Sequence, residues 1–346
     1  MRLPRPRGPV SRGVVDALRG DQDLDVAALT ARVEAARGDV LHDEDLQLAL
    51  WVCYELHFDG FEETDARVAG PDPEWDPDLL RLRAALEARL EERLRELTRD
   101  DVAAALASSD DVAARVFAQA EAADGPSLGR FLQREATAEQ FTEVLVHRSL
   151  YQLKEADPHT FVLPRVPGRA KVAMAEVQFD EYGAGRPERQ HSTLFGDGMT
   201  ELGLDRRFGA YVDDVPAVTL ALNNAMSLLC LHRRLRGAAV GHLAALEVTS
   251  SLPCRRYVQG LRRLDLSPAM VDYFDEHVEA DAVHEQVATR DICAALVAEE
   301  PELAEDLCFG VAVCLRMDEL LAGHVLDRFR AGRSSLRADD VSEAVA

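Results

Sequence analysis

The sequence predicts an all-α fold, a bundle of many helices. Apolar residues recur at helical spacing through most of the 346-residue chain, and sustained alternation of the strand type is nearly absent. Short breaks at Gly, Pro and Asp clusters separate the helical segments, which is typical of a helical bundle. The hydrophobic content of 47% supports a compact globular protein.

The N-terminal third of the chain is predicted to form a helical extension. Residues 1–13 are rich in Pro, Arg and Gly and are expected to be mobile. The helical patterns that follow cover residues 25–36, 43–57, 77–98, 99–107 and 110–122. The stop at Asp124-Gly-Pro-Ser127 then marks a boundary. We therefore predict an extension over residues 1–125 and a main bundle over residues 126–346.

The main bundle is predicted to contain a series of helices with two informative breaks. Pro158 should end the helix that carries Glu155, because a residue before proline is pushed out of the α region. Gly183 and Pro187 should interrupt the chain in the middle of the bundle. The helical patterns cover residues 127–134, 137–156, 169–183, 187–202, 214–234, 237–251, 254–264, 268–286, 288–299 and 301–331.

Composition and charge exclude several function classes. The formal net charge is −23, which disfavours binding to nucleic acid or to anionic membrane surfaces. No apolar run is long enough for a transmembrane helix, and no apolar segment follows the basic N-terminus, so we expect a cytoplasmic location. The six cysteines are scattered without a CxxC pair, which favours buried free thiols over disulfides or a zinc site.

One predicted helix carries metal-binding side chains on a single stripe. His277, Asp281 and His284 are spaced i, i+4, i+7, so they fall within roughly 60° of each other on the helix surface. Neutral nitrogen and anionic oxygen donors together suit Fe(II), Mn(II) or Zn(II). The alternative interpretation is an ordinary polar helix face.

Two further groups carry carboxylates and imidazoles. Glu181 and His191 flank the predicted break, and irregular backbone inside a helical bundle often marks a site; the alternative is an exposed helix corner. Glu155 is expected in the last turn of its helix, where it opposes the helix dipole and invites a compensating cation. His159 follows Pro158 and is a reserve ligand.

The donors add up to a set that suits two metal ions. Three carboxylates and three imidazoles would hold two ions through a bridging carboxylate, with positions left open for O2 and substrate. A zinc hydrolase could use similar donors, but the sequence has no HExxH and no thiolate cluster. The predicted ligands are Glu155, Glu181, His191, His277, Asp281 and His284. Candidates to orient the imidazoles are Asp180, Tyr182 and Glu188.

Other polar residues have weaker signals. Glu143 and His147 stand at i, i+4, a spacing that can bind metal but more often marks a salt-bridged helix face. Glu247 is expected on a bundle helix that faces the site, where it would line a substrate pocket. Arg186 and Arg189 could bind a substrate carboxylate or form salt bridges at the corner.

The segment from Tyr151 to Phe195, with LKEADPHTF and DEYGAGRPERQH, resembles the actinobacterial iron-containing redox enzymes of the haem-oxygenase-like dimetal oxidase superfamily. The pattern of that superfamily is a Glu on one helix, a Glu with a His ten residues later, and a late His-x3-Asp-x2-His. This chain fills all six positions with the residues named above. The resemblance covers about residues 130–330.

The resemblance implies a haem-oxygenase-like bundle that holds non-haem iron and no haem. In such proteins a reduced diiron centre, Fe(II) passing to Fe(III), activates O2 to oxidise an amine, an amino-acid-like or a fatty-acid-like molecule. We therefore expect a small-molecule substrate, with an external electron donor or a homodimer as further possibilities. The alternatives are a metal-free helical scaffold that keeps the fold, and a thiaminase-like enzyme without iron.

Overall fold

A computed structural model of the chain describes residues 1–65 and 72–337, apart from the side chains of residues 65 and 279–282. Within these ranges the chain is all-α and contains no strand, which confirms the predicted fold class. None of the described helices is both long and apolar enough to cross a membrane. The helices are α1 (Pro9–Arg19), α2 (Val26–Ala35), α3 (Glu44–Glu55), α4 (Glu62–Asp65), α5 (Pro77–Ser108), α6 (Val112–Ala122), α7 (Leu128–Arg134), α8 (Ala138–Gln152), α9 (Asp157–Thr160), α10 (Gly168–Glu181), α11 (His191–Glu201), α12 (Ala217–Leu231), α13 (Arg236–Arg263), α14 (Pro268–Gln286), α15 (Ala294–Glu299) and α16 (Ala304–Arg330).

The expectation of a mobile N-terminus was wrong, because long-range contacts hold residues 1–13 in place. Leu3 is buried in the core, and helix α1 begins at Pro9, a position favourable for proline at a helix start. The carboxylate of Asp45 accepts the backbone N–H groups of Val10 and Ser11 at 2.8 and 2.6 Å. These N–H groups lack partners within their own helix, so a carboxylate from another helix stabilises the start of α1.

The N-terminal helices share an apolar core with the bundle. Side chains of α1, α3 and α5 pack in the same buried cluster as those of α12, α13 and α16. A second cluster lies between α7, α8, α11 and α14 and contains several buried aromatic rings. Apolar packing is continuous across residue 125. The domain boundary that the sequence predicts near this residue therefore stays a prediction.

Helices α13 and α16 cross unusually closely, and glycine makes this possible. A Cβ at Gly241 would lie 2.0 Å from the carbonyl oxygen of Leu307, and one at Gly310 would lie 1.8 Å from that of Ala238. The packing of α13 along its neighbours also explains why it is one helix, Arg236–Arg263, where the sequence predicts two, over residues 237–251 and 254–264. Pro253 lies inside it, and packing against α14 and α16 on both sides keeps the helix continuous despite the missing N–H.

The cysteines behave as the sequence predicts. All six are free and buried. Burial raises the pKa of Cys53 to about 12, so this thiol stays protonated at neutral pH and packs as a small apolar group.

Candidate metal centre

Glu155 reaches the centre from a turn, because α8 ends earlier than the sequence predicts. The helix stops at Gln152, and Ala156 adopts a left-handed φ of 76° before α9 begins. Glu155 therefore lies in the connection between two helices, where its carboxylate can point into the bundle. Tyr273 fixes it by donating a hydrogen bond from Oη to Glu155 Oε2 at 2.8 Å.

Glu181 and His191 meet across a tight corner, and the predicted break between them is confirmed. Helix α10 ends at Glu181, and Gly183 two residues later has a φ of 77°. The Gly183 N–H donates to the Asp180 carbonyl, and the Ala184 N–H donates to the Phe179 carbonyl. This is the Schellman pattern, which needs a residue that tolerates positive φ. The chain then turns back and α11 starts at His191, which brings His191 Nδ1 to 2.8 Å from Glu181 Oε2.

Helix α14 contributes His277 and His284, which lie about two turns apart on one face. His277 Nε2 is 3.4 Å from Glu155 Oε1. His284 Nδ1 is 3.5 Å from Glu247 Oε2 and 3.8 Å from Glu181 Oε1. The side chain of Asp281, the remaining predicted ligand, lies outside the described residues.

The carboxylates and imidazoles form two adjacent groups that share one residue. Each residue contributes one potential ligand atom, and within a group these atoms all lie within 4.8 Å of one another. All members of both groups are buried. The first group is Glu155, Glu181, His191 and His277, and the second is Glu181, Glu247 and His284. Oε2 of Glu181 faces the first group and Oε1 faces the second. Glu181 is therefore placed as a bridge between them.

Glu247 is the member that the sequence prediction missed as a ligand. The sequence places it as a lining residue of the pocket, whereas the structure brings it within the second group. The signal was present, since Glu247 is a lone carboxylate in the Ala-, Leu- and Val-rich run from Ala238 to Val248. A buried, isolated carboxylate is costly unless a partner compensates its charge.

The imidazoles are oriented so that their free nitrogens face the carboxylates. His277 Nδ1 donates to the backbone carbonyl of Tyr273 at 2.9 Å, and His284 Nε2 donates to Asp180 Oδ2 at 3.2 Å. Each of these two rings thus presents its other nitrogen to the centre. In the described ranges, the contacts of His191 Nδ1, His277 Nε2 and His284 Nδ1 with carboxylate oxygens, at 2.8, 3.4 and 3.5 Å, lack hydrogen-bond geometry. Unpartnered buried nitrogens that face several carboxylate oxygens fit a metal ion between them.

The electrostatics of the centre indicate a need for positive charge. Burial acts to raise the pKa of Glu181, but the charges of His191, His277 and His284 outweigh it and hold that pKa below its usual value. Burial raises the pKa of Glu247, which the nearby carboxylate of Glu181 reinforces. For His284, burial opposes protonation, yet the carboxylates of Glu247 and Asp180 raise its pKa to about 9. Without a metal ion, the imidazoles carry the protons that balance the carboxylates.

The remaining candidates have other partners or are exposed. Tyr182 hydrogen-bonds to Asp157 at 2.7 Å, and Glu188 is exposed, so Asp180 is the orienting candidate in contact with a predicted ligand. Arg189 forms an ion pair with Glu276. His159 is in neither group.

Glu143 and His147 do not form a metal site in the structure. The carboxylate of Glu143 accepts the backbone N–H and the hydroxyl of Ser335 at 2.7 and 2.8 Å. The ring of His147 contacts the hydroxyls of Thr219 and Ser335 at 2.7 and 3.1 Å. The pair thus anchors the segment around Ser335. The salt-bridged helix face that the spacing predicts is not what the described residues form, because His147 is buried and both side chains bind hydroxyl or backbone groups.

A cavity of about 670 Å³ leads from the centre to the surface. Glu155, Glu181, Glu247 and His277 line its inner end. The walls are partly apolar, and exposed residues such as Ser127 and Asp318 line its outer part. The volume suits a small organic molecule.

These features define a helical-bundle protein with a buried carboxylate and imidazole centre beside a cavity of about 670 Å³. Residues 142–319, just over half of the chain, match the family described as iron-containing redox enzyme. The chain belongs to this family, and with it to the haem-oxygenase-like dimetal oxidase superfamily that the sequence resemblance indicated. The family makes it an oxidoreductase by class.

One curated relative is the nitrosourea synthase of Streptomyces achromogenes subsp. streptozoticus. It is 31% identical over 145 residues, which are 42% of this chain and 31% of the relative. The chain therefore matches about a third of the length of that protein. Among solved structures, two crystal structures of a CADD-like protein of unknown function from Nostoc punctiforme share 16% and 15% identity with the chain. They cover 70% and 71% of this chain and 97% and 96% of their own, each with a TM-score of 0.45.

Proposed function

We propose that the chain is a non-haem diiron oxidase or oxygenase that uses O2 to oxidise a small organic molecule bound in the cavity. One iron would be held by Glu155, His191 and His277, the other by Glu247 and His284, with Glu181 between them. Asp281 stays a proposed ligand of this centre on the sequence pattern alone. The observation that carries the proposal is that the two oxygens of Glu181 face two separate groups of buried donors.

The charge of the centre supports two divalent ions. The carboxylates of Glu155, Glu181 and Glu247 bring three negative charges into a buried space. Such charges are costly without a compensating cation nearby. Two divalent ions balance them closely, whereas a metal-free scaffold would have to keep several protons on the imidazoles. When bound, the iron ions would supply the electrons with which O2 is reduced.

The protein's own side chains prepare the centre for this chemistry. Tyr273 and Asp180 hold Glu155 and His284 in fixed orientations through hydrogen bonds. Tyr151 lines the cavity; burial and the carboxylates of the centre raise its pKa well above the usual value, so Oη keeps its proton. Apolar side chains such as Met226 and Leu243 cover part of the cavity wall and limit the entry of water. An external electron donor would complete the proposed reaction.

Anaerobic Fe(II) titration with iron analysis tests this proposal. Wild-type protein should bind two ions per chain, and Glu181→Gln should lose most of its affinity for both, because the shared ligand is weakened. His191→Ala and Glu247→Gln should each retain one ion. The matched control is Glu143→Gln. Glu143 is a partly buried carboxylate one helical turn from His147, and it accepts hydrogen bonds from Ser335 instead of joining the centre. The Glu143→Gln protein should still bind two ions.

Two outcomes would contradict the proposal. Wild-type protein that binds no iron under these conditions would remove the diiron centre and favour the metal-free alternatives. Glu181→Gln protein that still binds two ions with unchanged affinity would contradict the bridging position. Circular dichroism of each variant separates the loss of ligands from the loss of the helical fold.

A further inference from the structure

The cavity contains a second set of buried polar side chains beside the proposed metal centre. His159, Gln178, Asn223 and His242 all line it, and each is at most 5% exposed. None belongs to either group of metal-binding donors. We refer to these four residues as the inner polar subsite.

The inner polar subsite has several atoms without a hydrogen-bond partner in the described part of the chain. They are both ring nitrogens of His159, Nδ1 of His242, Oε1 of Gln178 and Oδ1 of Asn223. A buried polar atom without a partner is unfavourable because it has lost its hydrogen bonds to water, so nearly all such atoms in folded proteins are satisfied. Because these residues line a cavity, an occupant of the cavity is the natural partner.

The two amides are held with their oxygens available as acceptors. Gln178 Nε2 donates to the Ala156 carbonyl at 2.8 Å and to Thr160 Oγ1 at 2.6 Å. Asn223 Nδ2 donates to the Thr219 carbonyl at 2.9 Å. These bonds fix which end of each amide is the nitrogen. The free oxygens of Gln178 and Asn223 therefore need N–H or O–H donors from an occupant.

The two imidazoles are neutral and can both donate and accept. Their ring centroids are 5.4 Å apart. Burial lowers the pKa of His159 to about 4 and that of His242 well below its usual value. A neutral imidazole has one donor and one acceptor nitrogen. The subsite thus has no positive charge to balance an anion. An ammonium group cannot accept a hydrogen bond, so it would leave the imidazole N–H groups of the subsite without a partner.

The subsite lies about one helical turn from the metal-binding carboxylates. Gln178 precedes Glu181 by three residues on α10, and His242 precedes Glu247 by five residues on α13. At 1.5 Å per residue, these separations correspond to roughly 5–8 Å along the helices. A molecule only a few bonds long can therefore reach both places.

We infer that the inner polar subsite binds a neutral carboxamide-type group of the substrate, one with N–H donors and a carbonyl acceptor, while another part of the same molecule is oxidised at the metal centre. This inference rests on the proposed function and narrows its substrate class. Carboxamide N–H groups match the free oxygens of Gln178 and Asn223, and the carbonyl matches an imidazole N–H. A carboxylate lacks the donors, and the four side chains of the subsite carry no positive charge to balance it.

Histidine NMR with small probes tests the inference. Zinc-loaded protein, which is diamagnetic, is titrated with acetamide, acetate or methylammonium while the imidazole nitrogens are observed. Acetamide should shift the signals of His159 and His242 saturably and bind at least about tenfold more tightly than the other two probes, the equivalent of one good hydrogen bond. His147 is the internal control, because it lines the same cavity but its nitrogens already contact Thr219 and Ser335.

Two variants make the test decisive. His159→Phe removes both ring nitrogens and should weaken acetamide binding about tenfold, whereas His159→Gln keeps a donor and an acceptor and should retain it. Equal binding of acetate and acetamide, or full acetamide affinity in His159→Phe protein, would overturn the inference. Metal content is measured in the same samples: loss of metal binding in wild-type protein would count against the proposed function, and acetamide binding would then be judged on the metal-free protein.

Discussion

Replacing Gly310 with alanine tests whether the close crossing of α13 and α16 requires glycine. The new Cβ would lie 1.8 Å from the Ala238 carbonyl oxygen. Carbon and oxygen atoms in proteins approach to about 3.3 Å at closest, so the helices would have to separate by about 1.5 Å. Overpacking of this kind costs about 1–3 kcal/mol or more, and alanine returns about 1 kcal/mol of helix propensity. Because the clash is with rigid backbone, we expect a net loss of about 2 kcal/mol.

Gly323 on the same helix provides the matched control. A Cβ there would meet its nearest atom, Pro126 Cγ, at 4.0 Å, which is an ordinary contact. Gly323→Ala should therefore stabilise the protein by up to about 1 kcal/mol. Urea unfolding followed by circular dichroism should show a lower midpoint for Gly310→Ala and a slightly higher one for Gly323→Ala, with similar slopes. Equal midpoints for the two variants would refute the reasoning.

Two further predictions concern the second donor group. Asp180→Ala removes the acceptor that orients His284 and should weaken the binding of one ion about 10- to 100-fold in a chelator competition; Glu188→Ala, at an exposed carboxylate, should leave the affinity unchanged. Because His284 in the metal-free protein has a pKa of about 9, it is protonated at neutral pH, and metal binding must displace that proton. As the pH is lowered below about 9, metal affinity should therefore fall about tenfold per pH unit for each proton that binding releases. Calorimetry in buffers of different ionisation enthalpy should detect the released proton. Metal binding without proton release would contradict the prediction.

Local sequence patterns predicted the parts of the site that depend on local structure. The spacing of His277 and His284 puts both on one face of α14 because the helix period fixes that relation. Gly183 and Pro187, between Glu181 and His191, predicted the corner. Glycine readily adopts a positive φ and proline has a fixed φ, so both residue types interrupt a helix wherever the chain packs. Such inferences need no knowledge of how distant helices pack.

Features set by long-range contacts could not be predicted in the same way. Glu247 joins the second group because α13 lies against α14, while the close approach of α13 to α16 depends on Gly241 and Gly310. The order of the N-terminus depends on Asp45, a residue more than thirty positions later in the chain. In both cases the decisive partner is far away in sequence, and a periodic pattern carries no information about it.

The N-terminal part of the chain has a direct structural relation to the cavity. Ala120 at the end of α6 and Ala123 just after it line the cavity, although both precede the segment that matches the family. The end of the cavity that is lined by Glu155, Glu181, Glu247 and His277 is built from residues inside that segment, whereas this part of its wall comes from outside it. The walls of a cavity limit the size and shape of what fits in it, so these residues before 126 help to set the dimensions of the cavity in this chain.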